Sequence, residues 1–372
     1  MAQKKIPITL LAGYLGAGKT TLLNHVLNNQ QGYKVAVIVN DIGEVNVDEK
    51  LIAKDANITD TSSLVGLQNG CICCTLKSDL VKQIERLIKT GKFDYILIEA
   101  SGICEPMPIA QALESINGGV VDGVVSVVDA NRMATEFNDA EGLLKNDMQE
   151  DDIESLLVQQ IEFCNTLILN KTDLVNEEQL KKIRAVIKKL QPNARVIETT
   201  KCNVPVGDIL GTGAFDFEKV YASAGWVAEL EKMEEAEGHE HEHMEEGDDE
   251  DEYGIGSFVY YRRNAFDRRK LDEYANTWPK NVIRCKGVMW FADEPDMAYV
   301  LETTGRQIVA GYSGSWLAAA PKGEQQKVLA QDEQMRRDWD EKVGDRMIKL
   351  VFIGQHLDKE AISAELDKLL VK

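Results

Sequence analysis

Over roughly the first two hundred residues, short and nearly continuous apolar runs alternate with longer stretches whose apolar residues recur every three or four positions. Ile6–Leu11, Lys34–Val39, Tyr95–Ile98, Gly123–Val128, Thr166–Leu169 and Arg195–Glu198 read as strands. Thr20–Asn29, Ser78–Lys89, Met148–Phe163 and Glu177–Leu190 read as helices. Strands that are apolar throughout, with helices between them, predict a parallel sheet covered on both faces. Pro7 is compatible with this because it stands at the opening of its strand. Further along, Gly256–Tyr261, Val282–Phe291, Ala298–Glu302 and Leu350–Ile353 read as strands, and Ala265–Thr277 and Lys359–Leu370 as helices. That mix predicts a smaller α+β domain with helices on one face of its sheet. The expected organisation is an α/β domain over residues 1–223, a linker over 224–253 and a C-terminal domain over 254–372.

Charge sharpens the division. The chain of 372 residues carries a net −20, and fourteen acidic residues against one lysine fall between Glu229 and Glu252. Outside that segment the balance is ordinary, so a broad electrostatic grip on nucleic acid is not expected. The acidic segment cannot bury enough apolar surface to offset its ordering entropy, and at most a frayed helix over Trp226–Glu237 is expected there. His239, His241 and His243 alternate with glutamates in it, either as weak metal scavengers or as decoration of a solvated tether. No apolar run reaches the ~18–20 residues that a membrane-spanning helix needs. Met1–Leu11 imitates a signal peptide but leads into a glycine-rich loop with no cleavage-like end. Of seven cysteines, three crowd into Cys71, Cys73 and Cys74, too close for a disulfide framework, so a reducing compartment, the cytoplasm, is expected.

Gly13-Tyr-Leu-Gly16-Ala-Gly18-Lys19-Thr20 follows a strand and opens a helix, the context of a phosphate-binding loop. Its glycines let backbone N–H groups turn toward phosphate oxygens, and the helix N-terminus adds a favourable dipole. Lys19 is expected to reach the β- and γ-phosphates, Thr20 to bind Mg²⁺, and Thr21 to take part in nucleotide binding. The first domain is therefore expected to be a P-loop NTPase. Asn170-Lys171-Thr172-Asp173 ends another strand: Asp173 would accept from guanine N1 and N2, Lys171 would cover the ring, and Asn170 would brace the loop. A competing reading makes Asp173 a helix cap. The Thr199–Cys202 turn is a further candidate for backbone contact with the base. Ile96-Leu-Ile-Glu99-Ala-Ser101-Gly102 has the form of a strand end whose carboxylate holds Mg²⁺ and whose glycine amide approaches the γ-phosphate. Asn40-Asp41-Ile-Gly-Glu44 follows the second strand, where Asp41 is a candidate catalytic carboxylate and Glu44 a candidate metal ligand.

Asn69-Gly70-Cys71-Ile72-Cys73-Cys74 places three thiols at a turn before a helix, where thiolates are favoured. Three thiolates with an open fourth position suit Zn²⁺, with Co²⁺ the second compatible ion. Chance buried thiols and a closed structural zinc site are the competing readings. Cys104, Cys164, Cys202 and Cys285 are expected to be small buried apolar residues, and His25 and His356 structural.

The order of phosphate loop, Gly70-Cys-Ile-Cys-Cys74, Leu97-Ile-Glu-Ala-Ser-Gly102 and Asn170-Lys-Thr-Asp173 resembles the CobW family of metal-linked GTPases over nearly the whole chain. Val39–Asp48, Tyr253–Tyr260 and Phe352–Gly354 are similar to its bacterial zinc-responsive branch, the YciC (ZagA) type. The resemblance implies a GTPase related to hydrogenase and urease maturation factors, with Cys71, Cys73 and Cys74 as metal ligands. The function expected on these grounds is a metallochaperone that carries Zn²⁺ to a client metalloprotein; because the cysteine loop lies in sequence between the Asn40–Glu44 segment and the Glu99 strand end, its metal affinity is expected to be gated by GTP or GDP. Charge balance and the lack of a spanning run predict no nucleic-acid or membrane partner, and self-association is left open. Many relatives carry a glutamate where this chain has Val39, so the carboxylate ligand expected here is Glu44 instead. A passive zinc buffer and a P-loop phosphotransferase with structural zinc are the rival functions.

Overall fold

The computed structural model describes residues 5–29, 32–39, 64–66, 77–137, 156–230, 253–304 and 307–371, which form two units, Met1–Gly225 and Trp226–Lys372. In the first unit the strands are β1 (Ile6–Ala12), β2 (Val35–Val39), β3 (Leu64–Gly66), β4 (Tyr95–Glu99), β5 (Gly119–Asp129), β6 (Thr166–Asn170) and β7 (Arg195–Glu198). They form one parallel sheet in the order β3-β2-β4-β1-β5-β6-β7. Its helices include α1 (Lys19–Asn28), α2 (Lys77–Thr90), α3 (Pro106–Glu114), α4 (Ala130–Phe137) and α5 (Glu177–Leu190). β1, β2, β4 and β6 have no exposed residue, as both-face coverage requires. Of the expected Met148–Phe163 helix, 156–162 is helical and 148–155 lies outside the described residues.

Because every strand runs the same way, all the segments that leave their C-terminal ends emerge along one edge of the sheet. The loop after β1 lies between β4 and β5, its strand neighbours. Such an edge is where α/β sheets present their ligand sites.

Elsewhere in the sheet, a bulge turns one polar residue inward. Ile8 pairs with Val121 and Thr9 with Gly123, so Asp122 is the extra residue of β5. Its buried carboxylate accepts from the Tyr95 hydroxyl, from Thr212 N at 3.1 Å and from Gly213 N at 2.6 Å. Thr9 Oγ1 lies 2.7 Å from the same tyrosine oxygen. Burial, reinforced by the bond to Asp122, holds the Tyr95 hydroxyl protonated far above its ordinary range. Asp122→Ala leaves three donors without this acceptor, and at roughly 1 kcal/mol or more for each stranded group the loss is about 3 kcal/mol. Thermal unfolding checks this: a midpoint lowered by roughly 6–12 °C is expected, and a shift under 2 °C would refute the account.

The second unit is an antiparallel five-stranded sheet of β8 (Ile255–Arg262), β9 (Val282–Phe291), β10 (Glu294–Thr304), β11 (Gln307–Ser315) and β12 (Ile348–Gln355), ordered β11-β10-β9-β12-β8. α6 (Arg268–Ala275) and α7 (Lys359–Asp367) start at Asp267 and Asp358, whose side chains accept from Lys270 N and Ala361 N. Leu271, Ile362 and Leu366 from these helices share one core with Phe258, Tyr260, Cys285, Leu350 and Phe352. These strand residues lie on one face, since Phe352 pairs with both Phe258 and Cys285. The α+β expectation holds in this sense. Buried Arg284 on the opposite face is paired with Glu302 at 2.5 Å. Residues 225–230 are helical, and the Trp226 ring lies 4.7 Å from the Lys286 ammonium. The remainder of the acidic segment, with its three histidines, is outside the described residues. No helix among the described residues is long and apolar enough to cross a membrane.

Candidate nucleotide site

The loop after β1 is held open by its glycines. Gly13 has φ +139°, and a Cβ there would stand 2.3 Å from the Val127 carbonyl oxygen of neighbouring β5. Gly18 has φ +118°, and its Cβ would meet the Asn170 amide at 2.5 Å and the Cys202 sulfur at 2.9 Å. Backbone conformation and crowding therefore both demand glycine at these two positions. Gly16 also has positive φ, at the exposed crest of the loop. Gly18 precedes α1 without offering a side-chain cap, and the first turn of α1 contains no acid that would compete with an anion for its amides. Thr21 is exposed in that turn.

Lys19 is nearly buried at 7% exposure, and its ammonium donates to Gly13 O at 2.7 Å and Tyr14 O at 3.3 Å. A cation is thus fastened to the same loop whose amides would receive an anion. Thr20 Oγ1 donates to Glu99 Oε1 at 3.1 Å, joining the start of α1 to the end of β4. A hydroxyl and a carboxylate oxygen this close are hard ligands that fit Mg²⁺. Gly102 lies where a Cβ would stand 2.6 Å from Leu15 of the loop, so only glycine lets the segment after β4 approach so closely.

On the other side of β1, Asn170 is buried at the end of β6, in register with Asp129 of β5. Its amide nitrogen donates to Ala17 O at 2.9 Å, while its oxygen accepts from Cys202 N at 3.0 Å. One side chain therefore joins the phosphate loop to the turn after β7, where Lys201 and Cys202 both have left-handed backbone. Cys202 Sγ donates to Gly18 O at 3.4 Å. Burial pushes this thiol up to about 12, so it is a protonated donor at neutral pH. Cys202 is buried, as expected, and in addition makes this polar contact to the loop. Cys164 and Cys285 are buried free thiols, as expected, whereas Cys104 is buried but disulfide-bonded, which corrects its reading as an isolated apolar thiol. His25 Nε2 donates to Val204 O at 2.7 Å, a structural bond between α1 and the segment after β7.

Lys171 has φ 60° and its ammonium reaches Asp129 Oδ2 at 2.6 Å. Asp173 is exposed in a single 3₁₀ turn, Thr172–Leu174. It does not cap the next helix: the cap of α5 is Asn176, which accepts from Gln179 N in a reciprocal box. The helix-cap reading of Asp173 therefore fails. Asp41, Glu44, Cys71, Cys73 and Cys74 lie outside the described residues. Among the described residues no group of three His, Cys, Asp or Glu is arranged to hold a metal ion.

Sequence reasoning did not single out Asp129, which the structure pairs with Lys171. Asp129 carried a readable signal: like Glu99 and Asn170, it is the first polar residue after a buried apolar strand run.

A wholly parallel sheet with a glycine-rich loop between its central strands, and an Asn-Lys-Thr-Asp turn two strands away, is the architecture of a P-loop GTPase. Residues 7–198 match the CobW/HypB/UreG nucleotide-binding domain, and residues 255–370 match the cobalamin synthesis protein CobW C-terminal domain. The chain belongs to the CobW/HypB/UreG family. It is 38% identical to the zinc-regulated GTPase metalloprotein activator 1 of Dictyostelium discoideum, over 99% of this chain and 80% of the relative. It is 30% identical to the zinc chaperone CobW of Pseudomonas aeruginosa, over 97% of this chain and 91% of the relative. Among solved structures, Zn(II)-bound YjiA GTPase from E. coli aligns over 99% of each chain at 23% identity and a TM-score of 0.42.

Proposed function

We propose that this protein is a GTP-driven zinc chaperone in which Cys71, Cys73 and Cys74 hold Zn²⁺ as cargo, released to a client metalloprotein when GTP is hydrolysed. Lys19 and the loop amides bind the β- and γ-phosphates, and Asp173, Lys171 and Asn170 recognise guanine. Thr20 and Glu99 would hold Mg²⁺, which neutralises charge on the phosphate oxygens. Asp41 and Glu44 belong to the segment expected to respond to the γ-phosphate and to the cargo. Co²⁺ is the alternative cargo that the same thiolates would accept.

The observation that carries this reading is one row across the sheet. Gly66 is paired with Val39, Val39 with Glu99, and Glu99 with Leu11 just before the phosphate loop. Cys71 follows five residues after Gly66, and Asp41 two after Val39. Two strand spacings separate Gly66 from Glu99, about 10 Å. The cysteine segment and the segment after β2 therefore depart from the same row that carries the Mg²⁺ carboxylate. Contacts made only with GTP bound would draw both into a coordinating arrangement, and hydrolysis would withdraw them.

Zinc affinity measured in GDP and in a non-hydrolysable GTP analogue tests the gating. The expected result is ~5–150-fold tighter binding with the triphosphate, the usual range for coupled sites. By linkage, zinc tightens the analogue by the same factor. Cys73→Ala should remove the difference. Equal zinc affinity in both nucleotide states would reduce the protein to a passive zinc binder.

A further inference from the structure

The end of β5 carries a carboxylate whose two oxygens do different work. Asp129 Oδ1 accepts from Asn131 N at 3.0 Å and Arg132 N at 3.3 Å, opening α4. Asp129 Oδ2 takes the Lys171 ammonium at 2.6 Å. Asp129 and Asn170 are paired across β5 and β6, so Lys171, the next residue, lays its stem back over the strand ends to reach β5. The left-handed backbone at Lys171 is one that a non-glycine residue keeps only when its surroundings hold it. In the first turn of α4, the Arg132 guanidinium stands 5.0 Å over the ring of Tyr14, the second residue of the phosphate loop.

We propose that Asp129 is a positioning residue for the guanine nucleotide: it holds Lys171 flat as the floor under the base and, through α4 and Arg132, fixes the Tyr14 side of the phosphate loop. This rests on the reading of Lys171 as the residue that covers the ring. The ion pair presents the aliphatic stem of Lys171, not its charge, to a ring lying on it, and the charge is satisfied at the edge of the site. With the acceptor gone, the ammonium is free to swing into the space the ring occupies.

Asp129→Asn separates the two roles, because asparagine is as good a helix cap as aspartate but carries no charge to pair with Lys171. In the full-length protein, calorimetric titration should show GDP and IDP both weakened on the order of tenfold, with the unfolding midpoint within about 2 °C of wild type. Equal losses are expected because the face of the ring is the same in guanine and hypoxanthine. In a Lys171→Met background, Asp129→Asn should cause no further loss, since the two residues act as one unit. Asp129→Ala, which also removes the cap and with it the hold on Arg132 and Tyr14, should lower the midpoint and weaken GDP beyond the loss seen in Asp129→Asn. The proposal is overturned if Asp129→Asn binds GDP within twofold of wild type, if its loss is confined to GDP, or if nucleotide is lost only in the alanine variant. Asp173→Asn serves as the reference. If it leaves GDP binding intact, the base-site reading itself is at fault; if it weakens GDP while Asp129→Asn does not, only the positioning role fails.

Discussion

Lys19→Ala should lower kcat/KM for GTP hydrolysis by about 10²–10³-fold, the usual cost of removing one preorganised donor from a developing oxyanion. The geometry explains why no neighbour substitutes. The ammonium is nearly buried and is tethered to two carbonyls of the loop itself, so it cannot leave the loop when the loop encloses phosphate. One of those carbonyls belongs to Gly13, whose backbone at φ +139° packs too closely on Val127 of β5 to admit a side chain. Alanine leaves the Gly13 carbonyl without this donor, costing about 1 kcal/mol of stability, which the fold should tolerate. Steady-state phosphate release, with thermal unfolding as the control, measures both. A folded variant that retains more than a tenth of wild-type kcat/KM would show that charge at this position is not what stabilises the transferring phosphoryl group. The same variant separates the proposed function from its rival. A passive zinc buffer keeps its metal behaviour when Lys19 is lost, whereas a gated chaperone loses the difference between its two nucleotide states.

The sheet was readable because each of its central strands is a bare apolar run that needs no tertiary information to be recognised. β9 and α5 were expected over the same residues that form them. Elements the pattern concealed share a physical cause: they bury little, or their start contradicts a propensity. β11 is an edge strand with mostly exposed residues and no alternation to detect. Helix Lys322–Gln331 has no buried residue at all. α3 begins with Pro106 and Pro108, which discourage a helical reading, although proline is tolerated in a first turn because those amides have no intrahelical acceptor. In the candidate site, residues could be named from their motifs one by one. What joins them could not. Asn170 touching both Ala17 and Cys202, or Asp129 holding Lys171, depends on strand order, which brings residues 153 and 42 positions apart into contact. Cys202 looked like filler because a thiol's contact with a carbonyl has no signature in a sequence. The hydrophobic pattern names strands; only their order across the sheet says which loop ends meet.

Asp173→Asn should exchange the base preference of the site, weakening GDP by roughly 10²–10⁴-fold and making XDP the tighter ligand. Guanine offers two donors on one edge, N1–H and the N2 amino group, and a carboxylate accepts both at once. Each bond to a charged acceptor is worth about 1.5–3 kcal/mol, which for two gives that range. Asparagine can accept from N1–H only by turning its own amino group toward N2, donor against donor. Xanthine carries an oxygen in place of the N2 amino group and would accept from that same amide. The structure favours this reading because Asp173 has no competing duty: Asn176 caps the following helix, and the turn leaves the carboxylate exposed beyond the strand end. Titration of both variants with GDP, XDP and ADP decides it. ADP should remain weak in both, because adenine presents an acceptor at N1 and no exocyclic donor at C2. Unchanged GDP affinity in Asp173→Asn would remove the basis for guanine selectivity at this turn, and recognition would then have to reside in the backbone of Thr199–Cys202, which Asn170 holds against the phosphate loop.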